Sequence, residues 1–165
     1  MTTVAWRERP VEEQRLFNPA FMALVLRQVA GGYVEAESAS LPVMLALLAP
    51  AIILHRHSRE SLPYTTRTDL LVWMQEHPDI RFLAAGRAKR LAPLSKEAML
   101  FGSAHGVLAI DTDGVRPGAK RVPAAAIGRI PHEAGICLDR SRHLGRWMAR
   151  SGSLVYQLSL WGVSP

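Results

Sequence analysis

Apolar and polar positions along this chain alternate mostly with the period of a helix. LFNPAF opens the first regular stretch: Asn18 is a good N-cap, Pro19 suits the first helical position, and Phe21, Leu24, Val25 and Val29 continue one face. Gly31 and Gly32 are expected to break this helix. LPVMLALLAPAIILH follows, apolar nearly all the way round, which predicts a helix covered on more than one side, with part of that cover supplied by another protein. Pro50 is expected to kink it or divide it in two. TRTDLLVWMQEH predicts a helix capped by Thr66 and stopped by Pro78, and IRFLAAGRAKRLA a second one ended by Pro93. A third starts at Ser95 as N-cap and runs to Gly106. VLAID alternates like a half-buried strand, and TDGV is a tight turn into a shorter one.

Three helices followed by a hairpin is the order of a winged helix, so residues 66–121 are read as a winged-helix-like module. The predicted fold class is mainly α: a helical N-terminal part, this module of three helices plus a β-hairpin, then a C-terminal helix and tail. Residues 1–15 are expected to be a flexible arm and 16–165 a single domain, with Leu16 and Phe17 folding back on the first helix as a hydrophobic staple. Residues 122–136, rich in Pro and Gly, read as a loop. The last helix is expected over Leu138 to Arg150, and the tail SLVYQLSLWGVSP fits a strand or a short helix equally.

Composition changes this picture little. With 165 residues, 48% hydrophobic and 21% charged, the chain has enough material for one ordinary core and is not a disordered polymer. Its charge is more informative. The net +6 divides into −2 over residues 1–80 and +8 over 81–150. A basic half fits nucleic acid, the acidic face of a protein, or simply a solvated surface. Arg81, Arg87, Lys89, Arg90 and Lys96 bracket the second and third helices of the module, where a DNA-binding version would meet phosphates. The third helix, KEAMLFGSAHG, has no Arg, Asn or Gln to read bases, which favours protein docking over sequence reading.

Candidate chemistry is sparse. One cysteine, Cys137, allows no internal disulfide and no cysteine-rich zinc site, and fits a reducing cytoplasm. Paired with His132 or His143 it could form a thiol and base, although a lone cysteine is ordinarily a small buried apolar residue. His55 and His57 form an H-x-H pair at a helix end, with no third ligand in view. No nucleotide-binding glycine loop and no nucleophile elbow is present, and no signal peptide or membrane span is expected. No catalytic residue, metal or cofactor is therefore assigned. Phe17, Phe21, Trp147, Tyr156 and Trp161 are the candidate partner-binding anchors, aromatic side chains being those that dominate interfaces. Trp147, Tyr156 and Trp161 could equally fill the protein's own core.

LFNPAF at 16–21, LPVMLALLAPAIILH followed by HRHSRESLP, TRTDLLVWMQEHP, FGSAHGVLAID and the C-terminal HLGRWMARSGS and LWGVSP occur in order from residue 16 to the end. In this ordered set the chain resembles the middle component of three-component ABC systems, the small subunit of Lamassu-type bacterial defence complexes. The resemblance implies a non-enzymatic, cytoplasmic adaptor encoded beside an SMC-like ATPase and an effector, often a nuclease. Such a subunit joins the ATPase heads to the effector and restrains it until foreign DNA is sensed, with DNA met through the assembled complex. The family's terminal motif more often has a basic residue where this chain has Ser164. A free-standing winged-helix DNA-binding transcription regulator is the alternative, and a small hydrolase using Cys137 a distant third. The tail, if it docks on a partner, is expected to be separable from the fold of residues 66–121.

Overall fold

The computed structural model describes residues 18–123 and 131–163. The expected arm, its staple with Phe17, and Ser164 lie outside them. Seven helices and one hairpin are described: α1 Pro19–Glu37, α2 Val43–Ile53, α3 Arg56–Glu60, α4 Leu70–Glu76, α5 Pro78–Ala104, β1 Leu108–Asp111, β2 Gly114–Pro117, α6 His132–Arg150 and α7 Leu154–Leu160. The molecule is mainly α, as the pattern predicts.

α1 begins as expected, with the Asn18 side chain accepting from the Ala20 N–H at 2.9 Å and Pro19 in the first turn. It does not break at Gly31 and Gly32 but continues to Glu37. Gly32 serves another purpose, which it shares with Gly145. A Cβ on Gly32 would lie 2.1 Å from the Arg142 carbonyl oxygen, and one on Gly145 would lie 2.0 Å from that of Val29. α1 and α6 therefore cross with their backbones touching, and the packing gained outweighs glycine's helix penalty of about 1 kcal/mol each. Glu35 on α1 pairs with Arg142 at 3.2 Å and with Arg146 at 3.9 Å beside the crossing.

α2 is the apolar centre. Leu45, Ala46, Leu48, Ala49, Ala51, Ile52 and Ile53 are buried, and Pro50 sits inside one continuous helix instead of dividing it. Most of the expected outside cover is supplied by the chain itself, since α1, α5, α6 and α7 all pack on α2. The buried Arg59 of α3 closes its end, donating to the Ile53 carbonyl at 2.8 Å and pairing with Glu133 of α6.

Asp69, not Thr66, caps α4, accepting from Leu71 N–H at 2.9 Å and Val72 N–H at 3.1 Å. Thr66 accepts from Arg150 instead. Pro78 ends α4 and opens α5. The expected second and third helices of the module are one: Pro93 lies inside α5 and Ser95, read as an N-cap, is buried in mid-helix. A proline removes one backbone hydrogen bond, at a cost of about 3 kcal/mol. Burial on both sides of it holds the helix through, with Ile80, Ala84 and Ala88 before the proline and Ala98, Met99 and Gly102 after it. Within residues 66–121 two helices, not three, thus precede the hairpin.

The hairpin forms where predicted. β1 and β2 are antiparallel with Asp111 opposite Gly114, and Asp111 Oδ1 accepts from the N–H groups of Asp113 and Gly114. Gly114 has φ +138°, and a Cβ there would meet the Leu41 carbonyl at 2.3 Å. That closeness lets Leu41 exchange two hydrogen bonds with Val115. Arg27 of α1 donates to the carbonyls of Val107 and Gly118 at 2.7 and 2.9 Å, fastening both ends of the hairpin.

The loop expected over 122–136 is shorter than predicted. α6 starts at His132, six residues before Leu138, because Glu133 in its first turn meets Arg59. Residues 124–130 of that loop lie outside the described residues. The tail resolves as a helix, α7, capped by Ser153 and tied down by buried Gln157, whose amide donates to the carbonyls of Met148 and Gly152 at 2.9 Å.

Candidate interaction surface

The aromatic anchors separate by depth. Trp147 and Trp161 are each 1% exposed and belong to the core. Trp73 of α4 meets Trp147 edge-on at 5.2 Å and Trp161 tilted at 5.9 Å, between ring centroids. Their polar edges differ: Trp147 Nε1 donates to Thr68 O at 2.8 Å and Trp73 Nε1 to Ser61 O at 2.9 Å, whereas buried Trp161 Nε1 has no protein acceptor among the described residues. Tyr156 lies on the surface, Phe21 is half-buried against the core, and Phe17 is outside the described residues. Of the two roles considered for the tryptophans, core filling is the one seen in this chain.

The five basic candidates all lie on α5, on different sides of it. Arg81 donates to the Leu160 carbonyl at 3.2 Å, bracing the end of α7. Lys89 and Lys96 share an outer stripe with Phe82, Pro93 and Leu100, at the spacing of one helix face. Phe82 is 88% exposed and Leu100 72%, and Val155 on α7 is 75% exposed. Large apolar side chains so open to water are worth explaining when they share a ridge with cations.

Arg87 and Arg90 face the other flank, toward the end of α2. They line a pocket of about 420 Å³ with Pro50, Ala51, Leu54, His55, Leu91 and Leu94. Arg87 donates to Ser58 Oγ at 2.9 Å, and that hydroxyl is 2.9 Å from His55 Nδ1. Burial first, and then the neighbouring Arg90, lower the pKa of the Arg87 guanidinium; distant Asp79 opposes the shift. Burial first, and then the Arg87 guanidinium, push the His55 imidazole below its ordinary value. A second apolar pocket of about 480 Å³ lies on the opposite flank of α5, lined by Met44, Leu47, Leu48, Ala88, Lys89 and Val163 among others.

The histidine pair is engaged in structural contacts, and the thiol is buried. Cys137 is buried, and burial raises its thiol pKa, which lowers the thiolate fraction a nucleophile needs. His57 pairs with Asp79 at 3.0 Å while His55 caps α3, and their rings stand edge to face 6.3 Å apart. Among the described residues no cluster of three potential metal ligands occurs, and no helix is long and apolar enough to cross a membrane.

Sequence reasoning missed Arg59 and Arg140, whose guanidinium donates to the carbonyls of Arg59 and Leu62 at 3.4 and 2.8 Å. HRHSRESLP reads as a basic turn because nothing in one stretch of sequence reveals a carboxylate 74 residues later. The surplus of positive charge on α6 is partly absorbed this way, through Arg140, Arg142, Arg146 and Arg150, which leaves α5 as the more available cationic surface.

No curated protein and no solved structure matches the chain. The profile of the ABC-three component (ABC-3C) system Middle Component 3 matches residues 6–165, nearly the whole sequence. A component of such a system has protein partners, and an apolar and cationic ridge over a self-sufficient core suits that setting. The chain belongs to the Middle Component 3 family of ABC-three component systems.

Proposed function

We propose that this chain is a non-catalytic adaptor that links an SMC-like ATPase to an effector, expected to be a nuclease, in a Lamassu-type complex acting against phage or plasmid DNA in the bacterial cytoplasm. Membership in a family of middle components carries the reading. Its support within the molecule is the outer face of α5, where Phe82, Lys89, Lys96 and Leu100 stand in one stripe. An interface core needs large apolar side chains, and its rim needs charge. Contact with DNA belongs to the assembled complex in this reading.

Co-expression with the ATPase and effector encoded beside this chain tests it. The expected result is a complex that survives gel filtration at physiological salt, with the adaptor required for the ATPase to retain the effector. Failure to bind either protein sinks the proposal. A salt-dependent, sequence-specific grip on operator DNA by the isolated chain would instead support the regulator.

A further inference from the structure

We propose that the pocket between the end of α2 and the middle of α5 receives an acidic amphipathic helix of a partner protein, one large apolar side chain entering between Leu54, Leu91 and Leu94 while flanking carboxylates pair with Arg87 and Arg90. The inference rests on the adaptor reading and assigns it a docking point.

Charge and polarity together select this guest. The floor is Pro50, Ala51, Leu54, Leu91 and Leu94, and the polar lining is His55, Arg87 and Arg90, without a carboxylate. Asp79, the acid that acts on Arg87 through space, is engaged by His57. Arg87 is partly anchored through Ser58, which fixes its plane, yet its Nε is buried without an acceptor among the described residues. Arg90 is exposed and pairs with no carboxylate among the described residues. Arg90, and the part of the Arg87 guanidinium that is neither buried nor held by Ser58, offer N–H groups to a planar anion. Nucleic acid would supply the anion and leave the aliphatic floor uncovered. A neutral apolar peptide would cover the floor and strip water from the cations without replacing it. A helix with Leu or Phe on one face and Asp or Glu one turn away satisfies both, since residues three and four apart share a face.

The test uses the full chain with its two co-encoded components. Arg90→Glu is the primary variant, because an exposed side chain without an ion pair is replaceable without harm to the fold. Arg87→Met is the second. Arg121→Glu, the same charge change at an exposed site away from the pocket, is the control. Binding is measured by interferometry at two salt concentrations, with unfolding temperature recorded for each variant. The expected result is binding weakened about tenfold or more by Arg90→Glu, a flatter salt dependence, and a change of less than about twofold for Arg121→Glu. Exchange of the partner's flanking acids for lysine should recover binding to Arg90→Glu. If the wild-type complex forms and Arg90→Glu binds equally well, the pocket assignment is wrong and the adaptor reading stands. If the wild-type chain binds neither component, both fall. A variant that assembles normally but loses DNA retention by the complex overturns the protein guest in favour of phosphate.

Discussion

Gly32 and Gly145 let the backbones of α1 and α6 touch, and that contact decides the relation of the two helices more than any apolar side chain does. Gly32→Ala places a methyl group 2.1 Å from the Arg142 carbonyl oxygen, so one helix has to move. The expected cost is about 1–3 kcal/mol or more, read as a lower midpoint in chemical denaturation. Gly31→Ala is the internal comparison. Its nearest neighbours, Arg142 Nη1 and Pro117 Cγ, are 3.7 Å away, so alanine fits and gains up to about 1 kcal/mol of helix propensity. Opposite signs for adjacent glycines would be inexplicable if both merely interrupted a helix. A sequence reader sees two consecutive glycines and predicts a break, because the carbonyl that forbids a side chain belongs to a helix more than a hundred residues away.

At the scale of the element, α7 joins the fold instead of standing off from it. Trp161 at its end lies against Trp73, and Gln157 and Leu158 are buried. Trp161→Ala should therefore cost about 3–5 kcal/mol and lower the unfolding temperature sharply. Tyr156→Ala, on the exposed side of the same helix, should cost less than about 1 kcal/mol. Equal, small effects of the two would return α7 to the role of a detachable docking tail. α5 shows a related departure from expectation. Pro93 and Ser95 spell a stop and a start, yet the apolar positions on either side of them continue one buried face, and burial along the whole length overrides the local signal.

For the molecule as a whole, the distribution of apolar surface separates stability from assembly. α2 is covered by the chain's own helices, so the oily excess anticipated there is largely consumed inside. Among the described residues, the large apolar side chains most open to water include Phe82 and Leu100 on α5, Val155 on α7 and Tyr64 before α4. Replacing Phe82 and Leu100 together by Ser should leave the denaturation midpoint within about 0.5 kcal/mol of wild type, because neither side chain is removed from water in the isolated chain. Retention by the co-encoded partners should fall. A large loss of stability would instead show that the two residues pack within the molecule. Several arginines of the basic half serve internal contacts, so its net charge overstates what a partner meets.

The sequence by itself determined the helical class, the Asn18–Pro19 start of α1, the apolar centre at α2, the Asp111–Gly114 hairpin and the concentration of positive charge after residue 80. These follow from local capping, turn chemistry and periodicity, which act over a few residues. Only the tertiary structure decided that α5 is one helix, that Gly32 and Gly145 are contact points, that Trp147 and Trp161 face inward, and that Arg87 and Arg90 share a pocket with the end of α2. Each of those depends on atoms brought together from distant positions, where a neighbouring backbone or an opposing apolar face outweighs local preference.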